Sequence, residues 1–328
     1  MGLAPPAPQV LLLVAAVAGE EGAVAIGAAA AAPAPAASAQ DVSMALWAVA
    51  AAVSSPSPPQ LRLTDLAPLL ALSARLLDDA GPQALSNTAW ALGTISTAAT
   101  VEADAAGPGG GEWPPGGWLA AFEEGAARSL GSQTDLGVYN LLWGLAKLRR
   151  SPSPTFLHAA AAAAAVRAPG ASPQAASGTL WALASLRAAP GPAFWGAWHA
   201  ATRAAVASSW GPADLANALW AHAAMGTAPP GDWLGAALGR ALAVMPACRE
   251  TELATLLWAC AKLRAQPARA WLDAWMASYS RRALDAPIAP TLPCAAYSLA
   301  LLRFRPPHAW AGRLVAEAAR QIDGRAPF

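Results

Sequence analysis

The chain has 328 residues, of which 55% are hydrophobic and only 12% charged, and its formal net charge is +1. That is ample apolar material for a core. It contains no uninterrupted aliphatic run longer than Val10 to Ala18, which is too short to cross a bilayer. The even balance hides an asymmetry: residues 1–133 carry three basic against 11 acidic groups, a net of −8, and residues 134–328 carry 18 against nine, a net of +9. A basic half points to an interaction surface there.

In chain order, residues 1–39 form an Ala/Pro-rich segment, read as a low-complexity leader or a degenerate repeat. No basic residue precedes Arg62, and Glu20 and Glu21 stand within the segment, so it matches neither a secretory signal nor an organellar transit peptide. From residue 40 to 324 the chain repeats itself. Trp143, Trp181, Trp220 and Trp258 are 38, 39 and 38 residues apart, Tyr297 follows after 39, and Trp90 and Trp47 extend the series backwards at 53 and 43. A period in this range is the signature of a solenoid.

Around each anchor the text recurs: SNTAWALGTIS, YNLLWGLAKLR, GTLWALASLR, NALWAHAAMG, TLLWACAKLR, AAYSLALLR. Apolar or small residues at −5, −1, +2 and +5 from the anchor mix steps of three and four, which predicts one helix, here helix A. The anchor is expected in its buried stripe. A buried Trp would contribute roughly 4–6 kcal/mol gross from about 150–250 Å² removed from water.

A Pro-rich breaker follows each helix A. Then comes a second aromatic, Phe156, Trp233, Trp271 and Trp310 at +13 and Trp195 at +14, opening helix B. One hairpin cannot bury its own stripes, so neighbours must stack. The predicted fold is all-α, a right-handed α-solenoid of six to seven helix-turn-helix repeats of 38–39 residues. Residues 98–117 are an acidic, Gly-rich insertion loop, and 325–328 a tail. The GPGGG run in that loop lacks the GK[ST] ending of a phosphate-binding loop.

Cys248, Cys260 and Cys294 have no CxxC spacing and leave one thiol over, which argues against a disulfide framework and for a reducing compartment. The histidines His158, His199, His222 and His308 are scattered. No HExxH, Cys/His cluster or nucleophile–base pair is visible, so no catalytic residue, metal or cofactor is expected.

The LWALA-type cores and the Pro-Pro-x-x-Trp turn make the repeat resemble the octotricopeptide repeat of green-algal organelles. The turn stands as Pro229-Pro230-Gly231-Asp232-Trp233, as Pro306-Pro307-His308-Ala309-Trp310 and as Pro114-Pro115-Gly116-Gly117-Trp118. The resemblance covers about residues 40–320. It implies a non-enzymatic protein that binds single-stranded organellar RNA in the chloroplast, or alternatively the mitochondrion. There it would act in RNA stability, processing, splicing or translation, with other proteins of an RNA-processing complex as further partners and no small-molecule substrate. Many such proteins carry a RAP domain after the repeats. None is read here, which suggests a fragment or a repeat-only member.

Two sets of residues are candidates for the contact with RNA. At +6 stand Arg149, Arg187, Arg264 and Arg303, with Lys147 and Lys262 at +4 and Arg150 and Arg305 alongside. Stacking would align them into a row that tracks phosphates, although a cation there also complements the helix dipole. At −4 and −3 stand Ser86, Asn87, Tyr139, Asn140, Ser177, Asn217 and Thr255, candidate readers of base edges. An Asn repeated at −3 would equally serve to fix helix stacking. The rival function is a protein-interaction scaffold, favoured by the acidic early units with Asp78, Asp79, Glu123 and Glu124.

Overall fold

Helix-start chemistry punctuates the chain at short intervals. Pro82, Pro173 and Pro212 open three A helices, where a missing N–H costs nothing. Ser38 and Thr134 cap two others, and Ser172 the helix that Pro173 opens, with side-chain oxygens that accept the N–H groups of Asp41, Gly137 and Ala175. The result is an all-α architecture with fourteen α-helices among the described residues. The structure, a computed structural model, describes residues 37–58, 61–62, 66–98, 101–102, 113–114, 116–284 and 291–323. The leader 1–39 and the insertion loop 98–117 lie largely outside the described residues, and the tail 325–328 lies wholly outside them.

The A helices are α1 (Ala39–Val53), α3 (Pro82–Thr97), α5 (Asp135–Lys147), α7 (Pro173–Ser185), α9 (Pro212–Met225), α11 (Glu250–Lys262) and α13 (Leu292–Leu301). Each is followed by a B helix: α2 (Ala67–Leu76), α4 (Gly116–Ser129), α6 (Pro154–Arg167), α8 (Pro192–Ser208), α10 (Gly231–Val244), α12 (Arg269–Tyr279) and α14 (His308–Asp323). The chain divides into two compact units, Met1–Arg167 and Ala168–Phe328.

In each unit a helix packs on the next helix of its own kind. In the first unit α1 packs on α3 and α3 on α5, with α2 on α4 and α4 on α6. In the second, α7, α9, α11 and α13 form one ladder and α8, α10 and α12 the other. Packing between helices two apart in the chain is what a stacked helical repeat requires. One feature escaped the sequence reading: Leu61–Arg62 and Val101–Glu102 pair as a two-residue parallel ladder in the first unit. Two residues carry no alternation to read.

In four repeats the tryptophan that opens helix B hydrogen-bonds to the repeat before it. Trp118 Nε1 donates to Ser73 Oγ at 2.8 Å, Trp233 Nε1 to Thr202 Oγ1 at 3.0 Å, Trp271 Nε1 to the Leu238 carbonyl at 3.1 Å and Trp310 Nε1 to Ser280 Oγ at 2.8 Å. These indoles bury apolar area and still satisfy their one donor. At +13 after Trp181 the buried ring is Phe194, not the expected Trp195, which is half-buried. The register of +13 therefore holds where the sequence reading had moved it to +14.

Candidate nucleic-acid interface

The first-anchor aromatics are not the buried ones. Trp47 is 48% exposed and Tyr297 52% exposed, and Trp90, Trp143, Trp181, Trp220 and Trp258 are half-buried. This corrects the expectation that they sit in the buried stripe, and the helical wheel explains it. At about 100° per residue, positions −5, −1 and +2 cluster on one side, whereas −7, −3, 0 and +4 cluster about 180° away. Leu85, Ala89 and Leu92 of α3 are accordingly buried, as are Leu253, Leu257 and Cys260 of α11. Gln83, Asn87 and Trp90 of α3 turn outward on the opposite face, as do Thr251, Thr255, Trp258 and Lys262 of α11.

Each A helix thus shows solvent an aromatic ring with polar or small residues above and below it. Two pairs of neighbouring rings approach each other within a unit: Trp47 and Trp90 lie 6.4 Å apart at 30°, and Trp181 and Trp220 lie 6.2 Å apart at 33°. Lys147 Nζ stands 5.4 Å from the centre of the Trp143 ring, a cation–π contact. Rings left partly in water at a repeated position are a costly use of tryptophan for a fold that buries other tryptophans well.

The base-reading candidates divide by depth. Ser86 and Ser177 are buried, the first donating to the Gln83 carbonyl and the second to the Asp214 carboxylate across α7 and α9. Tyr139 is half-buried. Asn87, Asn140 and Asn217 are half-buried beside the half-buried rings, and among the described residues their amides take no hydrogen-bond partner. They are not used to lock one helix to the next. Thr255 is half-buried and its hydroxyl donates to the Thr251 carbonyl at 2.7 Å.

Of the basic set, Lys147 and Lys262 stand at +4 on this face of their helices, and the arginines at +6 follow the helix ends. Arg149, Arg187, Arg264 and Arg303 are exposed, and all four hold the left-handed conformation, with φ of 54°, 55°, 55° and 51°. Each follows its helix A as the C′ residue of a Schellman turn. Arg187 N–H reaches the Ala184 carbonyl at 3.1 Å while Ala188 N–H reaches Leu183 at 2.9 Å, and the same pair of bonds recurs around Arg149, Arg264 and Arg303. In α9 the position belongs to Gly226, with φ 66°.

Glycine adopts this conformation freely, whereas another residue pays about 1–2 kcal/mol. Arginine therefore stands four times where the backbone favours glycine. Lys262 and Arg305 are exposed. Arg150 is half-buried, and its guanidinium donates to the Pro114 carbonyl.

Elsewhere the structure joins residues that the sequence left apart. His199 and His222 face each other at 2.9 Å between Nε2 atoms, among Trp195, Trp198 and Trp233. His222 Nδ1 lies 2.8 Å from the Ala218 carbonyl, and burial pushes its imidazole down to about 4, so it is neutral near pH 7. Burial also pushes the Cys248 and Cys260 thiols up to about 11 and about 12, which keeps both protonated. Among the described residues no group of three or more His, Cys, Asp or Glu could hold a metal, and no helix is long and apolar enough to cross a membrane. No family model matches the chain, and no curated protein matches it.

Proposed function

We propose that the chain is a non-enzymatic, single-stranded RNA-binding protein of the octotricopeptide kind, a right-handed solenoid of six to seven repeats. It would act in a chloroplast or mitochondrion in RNA stability, processing, splicing or translation. The observation that carries this reading is the outward stripe of aromatic rings and unpartnered asparagine amides on the A helices. Aromatic faces in water stack bases of any sequence, each stacking worth about 1–3 kcal/mol, and amides beside them can read base edges. The left-handed arginines supply the electrostatic half. A residue held against its backbone preference at four repeats is better explained by a ligand than by helix capping, which Gly226 performs with no side chain.

The test replaces Arg149, Arg187, Arg264 and Arg303 together by glycine. Four phosphate contacts give a slope of log K against log salt near about −2.8 for single-stranded RNA, and the variant is expected to flatten it towards zero. The same substitutions relieve the left-handed strain, so each is expected to raise stability to urea by about 0.5–1 kcal/mol. Weaker RNA binding by a more stable protein separates a binding role from a folding role. An unchanged slope overturns the phosphate row. A protein partner in place of RNA is the outcome that the acidic early units favour, and it would show as an absence of RNA binding at any salt concentration.

A further inference from the structure

Between α9 and α11, within the second unit, lies a cleft of about 320 Å³, lined by Trp181, Asn217, Trp220, Arg249, Thr251 and Thr255, with Glu252 beneath. This is the low end of the size of small-molecule sites, which run to about 1,000 Å³. Two of its walls are indole rings.

The residue that departs from the repeat here is Arg249. It holds the N-cap position of α11, where Ser38, Thr134, Ser172 and Gly211 stand in other A helices. Those residues suit the position, and an arginine side chain cannot accept the N–H groups that a cap must satisfy.

Arg249 is instead pinned. The Glu252 carboxylate, 9% exposed, accepts the Arg249 backbone N–H at 2.7 Å through Oε2, and Nε and Nη2 at 2.9 and 2.6 Å through Oε1. The Arg249 side chain as a whole is 76% exposed. Of its five N–H donors two go to Glu252, which leaves the Nη1–Nη2 end for a ligand in a fixed orientation.

We propose that this cleft is a nucleobase subsite selective for guanine, an inference that rests on the RNA-binding reading above. A planar fork of donors matches two adjacent acceptors. Guanine presents them as O6 and N7, whereas adenine sets an N6 donor beside its N7 and would meet the fork donor to donor. Cytosine also offers adjacent acceptors, but its single ring covers less of the two indole walls than a purine does. The Asn217 amide, with both donors and an acceptor, serves another edge of the base.

The experiment measures binding of the full chain to fluorescently labelled oligouridylates, plain or carrying one guanine, adenine or cytosine. The guanine oligomer is expected to bind about tenfold or more tightly than the adenine one, since a bidentate pair discriminates by that order. Arg249→Lys keeps the charge and removes the fork, and it is expected to bring the guanine-to-adenine ratio close to one. Trp220→Ala is expected to weaken the guanine oligomer more than the plain one. Binding of plain oligouridylate with no guanine preference, a cytosine preference, or a preference that survives Arg249→Lys overturns the guanine subsite while RNA binding stands. If no oligonucleotide binds to the wild type, the RNA-binding reading falls and the subsite falls with it.

Discussion

A single residue type shows how far a side chain's meaning depends on its backbone. The arginines at +6 were legible in the sequence as a recurring charge, but not as left-handed residues, because the conformation is set by two hydrogen bonds that close the end of helix A. The meeting of two histidines was not legible for a similar reason: His199 and His222 are 23 residues apart in sequence and come together only when α8 and α9 fold side by side. Their burial has a consequence that can be measured. Near pH 7 the His222 imidazole is neutral in both folded and unfolded chains. Between its ordinary value of 6.5 and its folded value of about 4, the unfolded chain binds a proton that the folded chain refuses, so stability falls as pH falls through that window. The loss is on the order of 3 kcal/mol by about pH 4, and His199, also lowered by burial, adds to it in the same direction. Urea denaturation between about pH 7 and about pH 4.5 measures this dependence, and His222→Gln is expected to make it shallower. An equally steep dependence in the variant would show that carboxylates alone carry it.

At the scale of the element, the repeat's period was legible because it is written in residue types, whereas the face each residue takes was misread. The sequence reading put every aromatic anchor inside. The wheel places position 0 opposite the leucines, whereas the second aromatics Phe156, Phe194, Trp233 and Trp271, at +13, are buried in the B layer. Tryptophan is apolar enough to be taken for core, and a count of spacings cannot say which face a neighbouring helix will cover. Close helix packing has its own signature in glycine. In the first unit an added Cβ at Gly93 would lie 2.8 Å from Gly144 Cα, and one at Gly144 would strike the Ala89 carbonyl. Gly144→Ala is therefore expected to destabilise the protein by about 1–3 kcal/mol, although alanine is the better helix former. Gly235→Ala, at an exposed site in α10 with open space around it, is expected to stabilise by about 1 kcal/mol. Urea midpoints compare the two, and opposite signs are required. A neutral Gly144→Ala would mean that α3 and α5 are free to separate.

At the scale of the whole molecule, charge divides the chain more sharply than the fold does. Both units are built from the same A and B ladders. Residues 1–133 carry a net charge of −8 and residues 134–328 a net charge of +9. A polyanion gains most of its affinity from neutralised phosphates, so RNA is expected to engage the later repeats. Ultraviolet crosslinking of bound RNA, read by mass spectrometry, should mark peptides holding Trp181, Trp220, Trp258 and Tyr297 in preference to those holding Trp47 and Trp90. Crosslinks confined to residues 37–133 would contradict the electrostatic argument.

The sequence by itself determined the all-helical class, the period and the +6 arginines, because helix periodicity and turn chemistry are local and each repeat states them again. It also contained the asparagines at −3, but not their freedom from partners. The tertiary structure decided which face of helix A is covered, that Ser86 and Ser177 turn inward, that the arginines sit in left-handed turns, and that Arg249 closes a cleft with residues of the neighbouring repeat. The left-handed turns are closed by two local hydrogen bonds that residue type alone does not reveal, whereas the covered face and the Arg249 cleft depend on packing between residues tens of positions apart.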